Sequence, residues 1–350
     1  MTRALLYCAG GGIGDSLVAS VVGRALHARF EQVDALTLPG HRSTLERVPD
    51  LDGVLVDDGG DEGALAALLN DRRYDACVVT WATARTARVP KLAKIPVRVG
   101  QARRLYSHDF TKRVVVRSER GDVTSHWSDI LLDYARAVDC DTSDRNPRFV
   151  PTTEDEREAA ALGINDYIVM HPTNAIASQR GMWPTQGWAA LARALADRFD
   201  ATVVLSGAKS DAAINSTIVR QSFEAPLRGA TQNDKIVNIA GSLSIGAFGA
   251  LAQRARAFVG ITTGTMHVAA AVGAPTVGIF PFQSDFPERW APLGAHTAVV
   301  RATFPCHAGD TKENCCDYAC IASLDVERIL AATQSLIGGT RARHDTTVHL

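Results

Sequence analysis

Four short segments of the chain set glycines, hydroxyls and single charges between an apolar run and a helical stretch. Backbone N–H groups and the helix dipole converge on a ligand at such a junction. The first segment is AGGGIGD, residues 9–15. Its carboxylate, Asp15, closes the glycine turn where the dipole favours negative charge, a position that suits a general base. The competing role is a cap for the helix that follows. A dinucleotide G-x-G-x-x-G would carry its last glycine on the helix, whereas Gly10 and Gly12 are followed here by Ser16 or Leu17. With Asp15 where a pyrophosphate would lie, an NAD-linked oxidoreductase is the less favoured reading.

The second segment, ITTGTMH (261–267), offers Thr262, Thr263, Gly264 and Thr265 as a cradle for a diphosphate, with His267 one helical turn further on. His267 serves either the ligand or the core. The third, HPTNAIASQRGMWP (171–184), presents Thr173, Asn174 and Arg180, and Arg180 is either the counter-charge of a phosphate leaving group or a surface cation. In the fourth, LSGAKSD (205–211), Asp211 either accepts ribose hydroxyls or caps a helix. Beyond these, RVGQARRLYSHDFTKR (98–113) clusters Arg98, Arg103, Arg104, Lys112 and Arg113, a charge suited to an acidic acceptor. Cys306, Cys315, Cys316 and Cys320 crowd one late stretch together with His307, and Cys316 to Cys320 supplies a pair with zinc-like spacing. We read that stretch as a structural loop, with disulfide pairing and metal binding left open, and expect no metal.

These segments need a scaffold of alternating strands and helices. The first half supplies strand-like runs at 4–9, 33–40, 53–58, 74–81 and 95–100, with helices over 16–30, 63–71 and 125–139. After a polar, proline-marked stretch at 143–165 the alternation restarts. Strands at 167–172, 201–207, 235–241, 257–262 and 275–281 then alternate with helices at 185–198, 210–221, 244–254 and 265–272. Such alternation implies parallel βαβ sheets, whose ligands collect at the carboxyl ends of the strands. A chain of 350 residues has room for two such domains. The expected division is 1–155, 156–337 and a tail at 338–350.

Thirty-seven basic residues against 38 acidic ones give a formal charge of -1, so nothing global favours nucleic acid as a partner. No apolar run approaches the ~20 residues of a membrane span, and the N-terminus turns glycine-rich before a signal peptide could form. Seven cysteines are an odd number, and three of them are scattered among apolar strand-like or helical runs, which suits a reducing compartment, so a cytoplasmic protein is expected.

Taken in order, the motifs resemble those of glycosyltransferase family 9, the ADP-heptose:lipopolysaccharide heptosyltransferases. The family has a G-D near its N-terminus, a K-x-W-P loop, a G-x-x-x-[ED] turn and a D-[ST]-G-x-x-H segment. Here these correspond to Gly14-Asp15, Trp183-Pro184, Gly207 to Asp211, and TTGTMHVAAAVGAPTVGIF (262–280). NIAGSLSIGAFGALAQRARAFVG (238–260) extends the likeness, which spans roughly residues 4–335. Two positions depart from the pattern: Thr262 stands in place of the family's Asp, and Gly181 in place of its Lys.

The resemblance implies a GT-B fold, that is, two Rossmann-like, doubly wound α/β domains with parallel sheets facing a central cleft. It implies an acceptor-binding N-terminal domain and a nucleotide-sugar-binding C-terminal one. It further implies inverting, metal-independent transfer of a heptose or related sugar from an ADP-sugar to a lipopolysaccharide-core or other glycan acceptor. Asp15 and Arg180 would then be catalytic. Thr173, Asn174, Asp211, Thr262, Thr263, Gly264, Thr265 and His267 would hold the donor, and Gly12, Gly14, Arg103 and Arg104 the acceptor. No cofactor is implied beyond the donor, and a lipid-linked acceptor would bring the protein to the inner membrane surface. The departures at Thr262 and Gly181 keep open a nucleotide-sugar-binding protein with weakened catalysis.

Overall fold

The computed structural model describes residues 1–173, 182–224, 235–282, 286–304, 315 and 317–342. Two compact units divide the chain, Met1–Val150 and Pro151–Leu350. In the first unit six strands, β1 (Arg3–Tyr7), β2 (Gln32–Thr37), β3 (Gly53–Val56), β4 (Ala76–Val79), β5 (Val97–Gln101) and β6 (Lys112–Val114), form one sheet in the order β3-β2-β1-β4-β5-β6. Each neighbouring pair is parallel; Leu5 of β1, for example, stands opposite Asp34 of β2 and Cys77 of β4.

The second unit repeats the plan with β7 (Tyr167–His171), β8 (Thr202–Leu205), β9 (Ile236–Asn238), β10 (Ala257–Ile261), β11 (Thr276–Phe280) and β12 (Thr297–Arg301). Their order is β12-β11-β10-β7-β8-β9, again all parallel. In both sheets the winding direction reverses beside the first strand, between β1 and β4 and between β7 and β10. A doubly wound sheet opens a crevice at that switch point, outside the carboxyl ends of the strands.

The helices of the first unit are α1 (Ile13–Leu26), α2 (Arg42–Leu45), α3 (Glu62–Asp71), α4 (Ala84–Leu92) and α5 (Trp127–Arg136). Those of the second are α6 (Thr153–Ala160), α7 (Thr185–Phe199), α8 (Ala212–Glu224), α9 (Ile245–Arg254), α10 (Gly264–Ala271), α11 (Pro287–Trp290), α12 (Ala319–Ala322) and α13 (Val326–Ala342). Central strands of a covered parallel sheet are buried on both faces and read as continuous apolar runs. Accordingly Ala4, Leu5, Leu6 and Tyr7 of β1 are all buried. Leu5 and Tyr7 join Leu36, Leu69, Cys77 and Val79 in one cluster of the first unit. In the second, Ile168 and Met170 of β7 pack with Trp188, Leu191 and Leu195 of α7, at roughly 1.5–3 kcal/mol per fully buried large side chain.

The elements depart from the sequence reading in four places. The helix expected at 16–30 runs from Ile13 to Leu26, because Gly12 is its N-cap and residues 28 and 29 turn back through 3-10-type bonds to Ala25 and Leu26. Helix α4 was hidden in the polar run TARTARVPKL; Thr83 caps it, and Pro90 is tolerated inside near its end. The basic stretch 103–113, which carried no element in the sequence reading, holds a 3-10 turn, Leu105–Asp109, and begins β6. Finally, α13 continues to Ala342, inside the segment expected as a tail.

Candidate functional site

The carboxylate of Asp15 lies in the first turn of α1, at the carboxyl end of β1 and beside the switch point. Its Oδ2 accepts the N–H of Gly12 at 2.8 Å, so the capping role is real. No other hydrogen bond to Asp15 occurs among the described residues, and the side chain is half-buried. Gly11 has φ +66°, a left-handed conformation that favours glycine. A Cβ on Gly11 would also stand 2.6 Å from Asp15 Oδ2. Gly12 is the extended N-cap, and Gly14 is buried in the first turn. Next to Asp15, Ser16 Oγ is 2.8 Å from Nδ1 of the buried His41. Burial pushes His41 below the usual histidine range, opposed by the charge of Asp15.

The same device recurs in the second unit. Asp211 ends a 3-10 turn, Lys209–Asp211, that leads into α8 at the carboxyl end of β8. Its Oδ2 accepts the N–H of Ala208 at 2.7 Å, and a Cβ on Gly207 would lie 2.9 Å from that oxygen. Here too a buried histidine touches a serine, with His171 Nδ1 3.0 Å from Ser206 Oγ. His171 stacks on Phe258 and meets Phe248 edge-on. Burial drives its pKa down to about 4, with Asp211 pulling the other way.

Across the second switch point, β7 delivers Thr173 and β10 delivers the 262–265 turn. Thr173 is buried, and its hydroxyl oxygen has no hydrogen-bond partner among the described residues. Thr263 is the N-cap of α10, yet its hydroxyl does not cap; it meets Thr265 Oγ1 at 2.8 Å and donates to Ile261 O at 3.3 Å. The first N–H groups of α10 therefore point out of the helix start without that side chain across them. Thr262, Thr263, Gly264 and Thr265 are all half-buried, so this rim can be reached by a ligand. His267 is buried, its ring tilted at 64° to Trp290 with centroids 6.5 Å apart. Trp183 is buried edge-on against Trp188, and Pro184 is the N-cap of α7. Asn174, Arg180 and Gly181 lie outside the described residues.

The basic stretch is less free than its composition suggests. Arg98 donates to the carbonyls of Asp109 (2.9 Å) and Ile95 (2.6 Å), and Lys112 donates to Ala137 O at 2.6 Å. Arg104 pairs with Glu119 at 2.7 Å and keeps close to half of its side chain exposed. Arg103 and Arg113 are exposed. Arg103 sits after β5, at the same carboxyl edge of the sheet as Asp15.

That edge holds residues the motif reading passed over. Trp81, two residues beyond β4, lies directly on Gly10; its position at the end of a strand-like run was the available signal. Asp57, after β3, is gripped by Arg85 at 2.6 Å and by the Tyr7 hydroxyl. Burial opposes its ionisation, but hydrogen bonds from Arg85, Tyr7 and the Gly59 N–H outweigh that, holding the carboxyl below the usual range. Cys315 is half-buried and Cys320 buried, whereas Cys306, Cys316 and His307 lie outside the described residues. Among the described residues no three His, Cys, Asp or Glu side chains form a metal-binding group. No helix among them is long and apolar enough to cross a membrane.

Lipopolysaccharide heptosyltransferase 2 of Salmonella typhimurium is 24% identical to this chain over 347 residues, covering 93% of this chain and 96% of the relative. The structure of E. coli ADP-heptose lipopolysaccharide heptosyltransferase II superposes with a TM-score of 0.78 at 21% identity, over 97% of this chain and 100% of that one. E. coli heptosyltransferase WaaC, solved with ADP, superposes with a TM-score of 0.65 at 14% identity, over 85% and 93% of the two chains. These likenesses match the GT-B architecture to the two six-stranded parallel sheets. The model of glycosyltransferase family 9 (heptosyltransferase) matches residues 63–319, well over half of the chain, and the protein therefore belongs to that family and is a glycosyltransferase.

Proposed function

We propose that this protein moves a heptose, or a closely related sugar, from an ADP-sugar to a lipopolysaccharide-core or similar glycan acceptor, with inversion at the anomeric carbon. The observation that carries the reading is Asp15: a half-buried carboxylate at a switch point, held by one N–H bond to Gly12. In this reading Asp15 takes the proton of the acceptor hydroxyl as that oxygen attacks the anomeric carbon. The bond from that carbon to the diphosphate oxygen breaks on the opposite face, and ADP leaves with the electron pair. The first unit binds the acceptor through Gly12, Gly14, Arg103 and Arg104.

The second unit holds the donor. Amides and hydroxyls of Thr263, Gly264 and Thr265 meet the developing diphosphate charge, a role that preorganised donors at a helix start perform without reorganising. Arg180 supplies a further positive charge. Asp211 accepts the ribose hydroxyls, and Thr173, Asn174 and His267 complete the pocket. Thr262 faces the sugar. A neutral hydroxyl there cannot accept the pair of hydrogen bonds that a carboxylate can, so the sugar preference departs from that of family members with Asp. The reaction belongs on the cytoplasmic side, at the inner membrane surface, if the acceptor is lipid-linked.

A screen of ADP-, UDP- and GDP-sugars and NAD by thermal shift tests this reading. ADP-heptose and ADP should raise the Tm, and NAD should not. Stabilisation by NAD alone, or by no ADP compound, would overturn it.

A further inference from the structure

Trp81 is a large apolar side chain left 41% exposed beside the loop that carries Asp15. Its indole rests on the glycine loop itself. A Cβ on Gly10 would stand 2.0 Å from the indole Cδ1 and 2.4 Å from Nε1, so only glycine lets the ring lie there. On the very next residue, Gly11, the corresponding space is taken by the Asp15 carboxylate, 2.6 Å from where a Cβ would be. Consecutive Cα atoms are ~3.8 Å apart, which keeps the nearest indole and carboxylate atoms within roughly 12 Å of each other. That is the scale of one sugar ring lying on the indole with a hydroxyl directed at Asp15.

The ring is mounted on fixed backbone. Thr86 Oγ1 donates to Trp81 O at 3.0 Å, and Thr86 is itself locked in a reciprocal cap with Thr83, whose N–H donates to Thr86 Oγ1 at 2.8 Å. From the other side the Tyr106 hydroxyl donates to Ala82 O at 2.6 Å. Tyr106 belongs to the connection between β5 and β6 that also carries Arg103 and Arg104. One hydrogen bond thus joins the aromatic platform to the cationic segment.

Water solvates an exposed indole poorly, and here the ring is presented rather than folded inward. The face of an aromatic ring is electronegative and its edge electropositive. A pyranose offers the complement, since one of its faces is a patch of weakly positive C–H groups while its hydroxyls point outward. Trp and Arg are also the residues that most often anchor recognition, where a rigid apolar surface meets a few placed charges.

We propose that Trp81 is the platform for the acceptor sugar. The C–H face of a pyranose rests on the indole, its attacking hydroxyl reaches Asp15, and an anionic substituent such as a phosphate meets Arg103 and Arg104. The ligand class is a phosphorylated hexose or heptose at the end of an oligosaccharide. The assignment rests on the reading of Asp15 as the base and of this unit as the acceptor side. It adds a specificity-determining residue to that reading.

The test measures binding of deacylated, phosphorylated lipopolysaccharide core oligosaccharide to the full-length protein without donor, by calorimetry. ADP binding and ADP-heptose transfer are measured alongside. Trp81→Leu keeps apolar bulk but removes the ring, and should weaken oligosaccharide binding at least tenfold with ADP affinity unchanged. Trp81→Phe keeps a smaller ring and should lose no more than about threefold. A Trp81→Leu protein within twofold of wild type would overturn the proposal, as would a wild-type protein that does not bind the oligosaccharide. Should Trp81→Leu fail to fold, Trp81→Met, which also lacks a ring, takes its place, and binding by it within twofold of wild type contradicts a ring-face contact. Failure of the underlying functional reading looks different: wild type then binds the oligosaccharide through Trp81 yet transfers no sugar from ADP-heptose.

Discussion

The carboxylate of Asp15 fills the space that a side chain on Gly11 would need, with Oδ2 2.6 Å from the position of that missing Cβ. Backbone and carboxylate are thereby interlocked, because Gly11 is left-handed and Asp15 closes the turn through the Gly12 N–H. Gly11→Ala should therefore act twice. A left-handed alanine costs about 1–2 kcal/mol of stability. The larger effect should be on catalysis, since pushing a reacting carboxylate aside by about an ångström can cost on the order of 10²-fold in rate. Steady-state kinetics beside a melting curve would check this; a stability loss with kcat unchanged would separate Asp15 from the chemistry.

Buried His171 makes stability depend on pH. Its folded pKa, about 4, lies below its ordinary value of 6.5, chiefly through burial, with Asp211 opposing. The unfolded chain therefore binds the proton more readily. The contribution to stability is fully present above pH 6.5 and is lost as the pH falls towards 4, amounting to on the order of 3 kcal/mol by that point. Melting temperature should fall through this window, and His171→Gln should flatten the curve there. The Asp57 carboxyl, held low by Arg85 and Tyr7 against its burial, adds a separate loss that begins only as the pH drops through the ordinary carboxylate range and below it. An unchanged slope between pH 6.5 and 4 in His171→Gln would assign the loss to other groups.

Of the exposed cations of the basic segment, Arg103 and Arg104 follow β5 at the carboxyl edge of the sheet, whereas Arg98 and Lys112 are turned onto backbone carbonyls. Replacing Arg103 and Arg104 with alanine should raise the acceptor KM by roughly 30-fold or more, at about 1 kcal/mol or more per charge-assisted bond lost, and leave donor affinity alone. The ion pair of Arg104 with Glu119 is partly exposed and contributes little to stability. An unchanged acceptor KM would remove this segment from the site.

The amino-acid pattern carried much of this architecture. Alternating apolar and helical runs specify two parallel sheets, and the buried strands Arg3–Tyr7 and Tyr167–His171 read as continuous apolar runs for that reason. Helix boundaries near glycine were harder to read. Whether Asp15 ends a loop or opens a helix depends on a single hydrogen bond to Gly12, which no periodicity reports. Helix α4 escaped because its sequence is basic and contains a proline, and its start is fixed by the Thr83 and Thr86 hydroxyls rather than by an apolar stripe. Arg104 and Lys112 looked like free cations because their partners, Glu119 and the carbonyl of Ala137, are distant in sequence. Trp81 resembled the end of a buried strand. Its exposure and the packing of its ring on Gly10 distinguish it from core.

The central claim, that Asp15 is the base of an inverting sugar transfer, is tested most directly by Asp15→Asn. Asparagine retains an oxygen to accept the Gly12 N–H but cannot take the acceptor's proton. Mass spectrometry of a phosphorylated core oligosaccharide incubated with ADP-heptose should show one added heptose with wild type. With Asp15→Asn the rate should fall by roughly 10²–10⁴-fold while ADP-heptose affinity and melting temperature are preserved. Transfer by Asp15→Asn at a rate close to wild type would contradict the account.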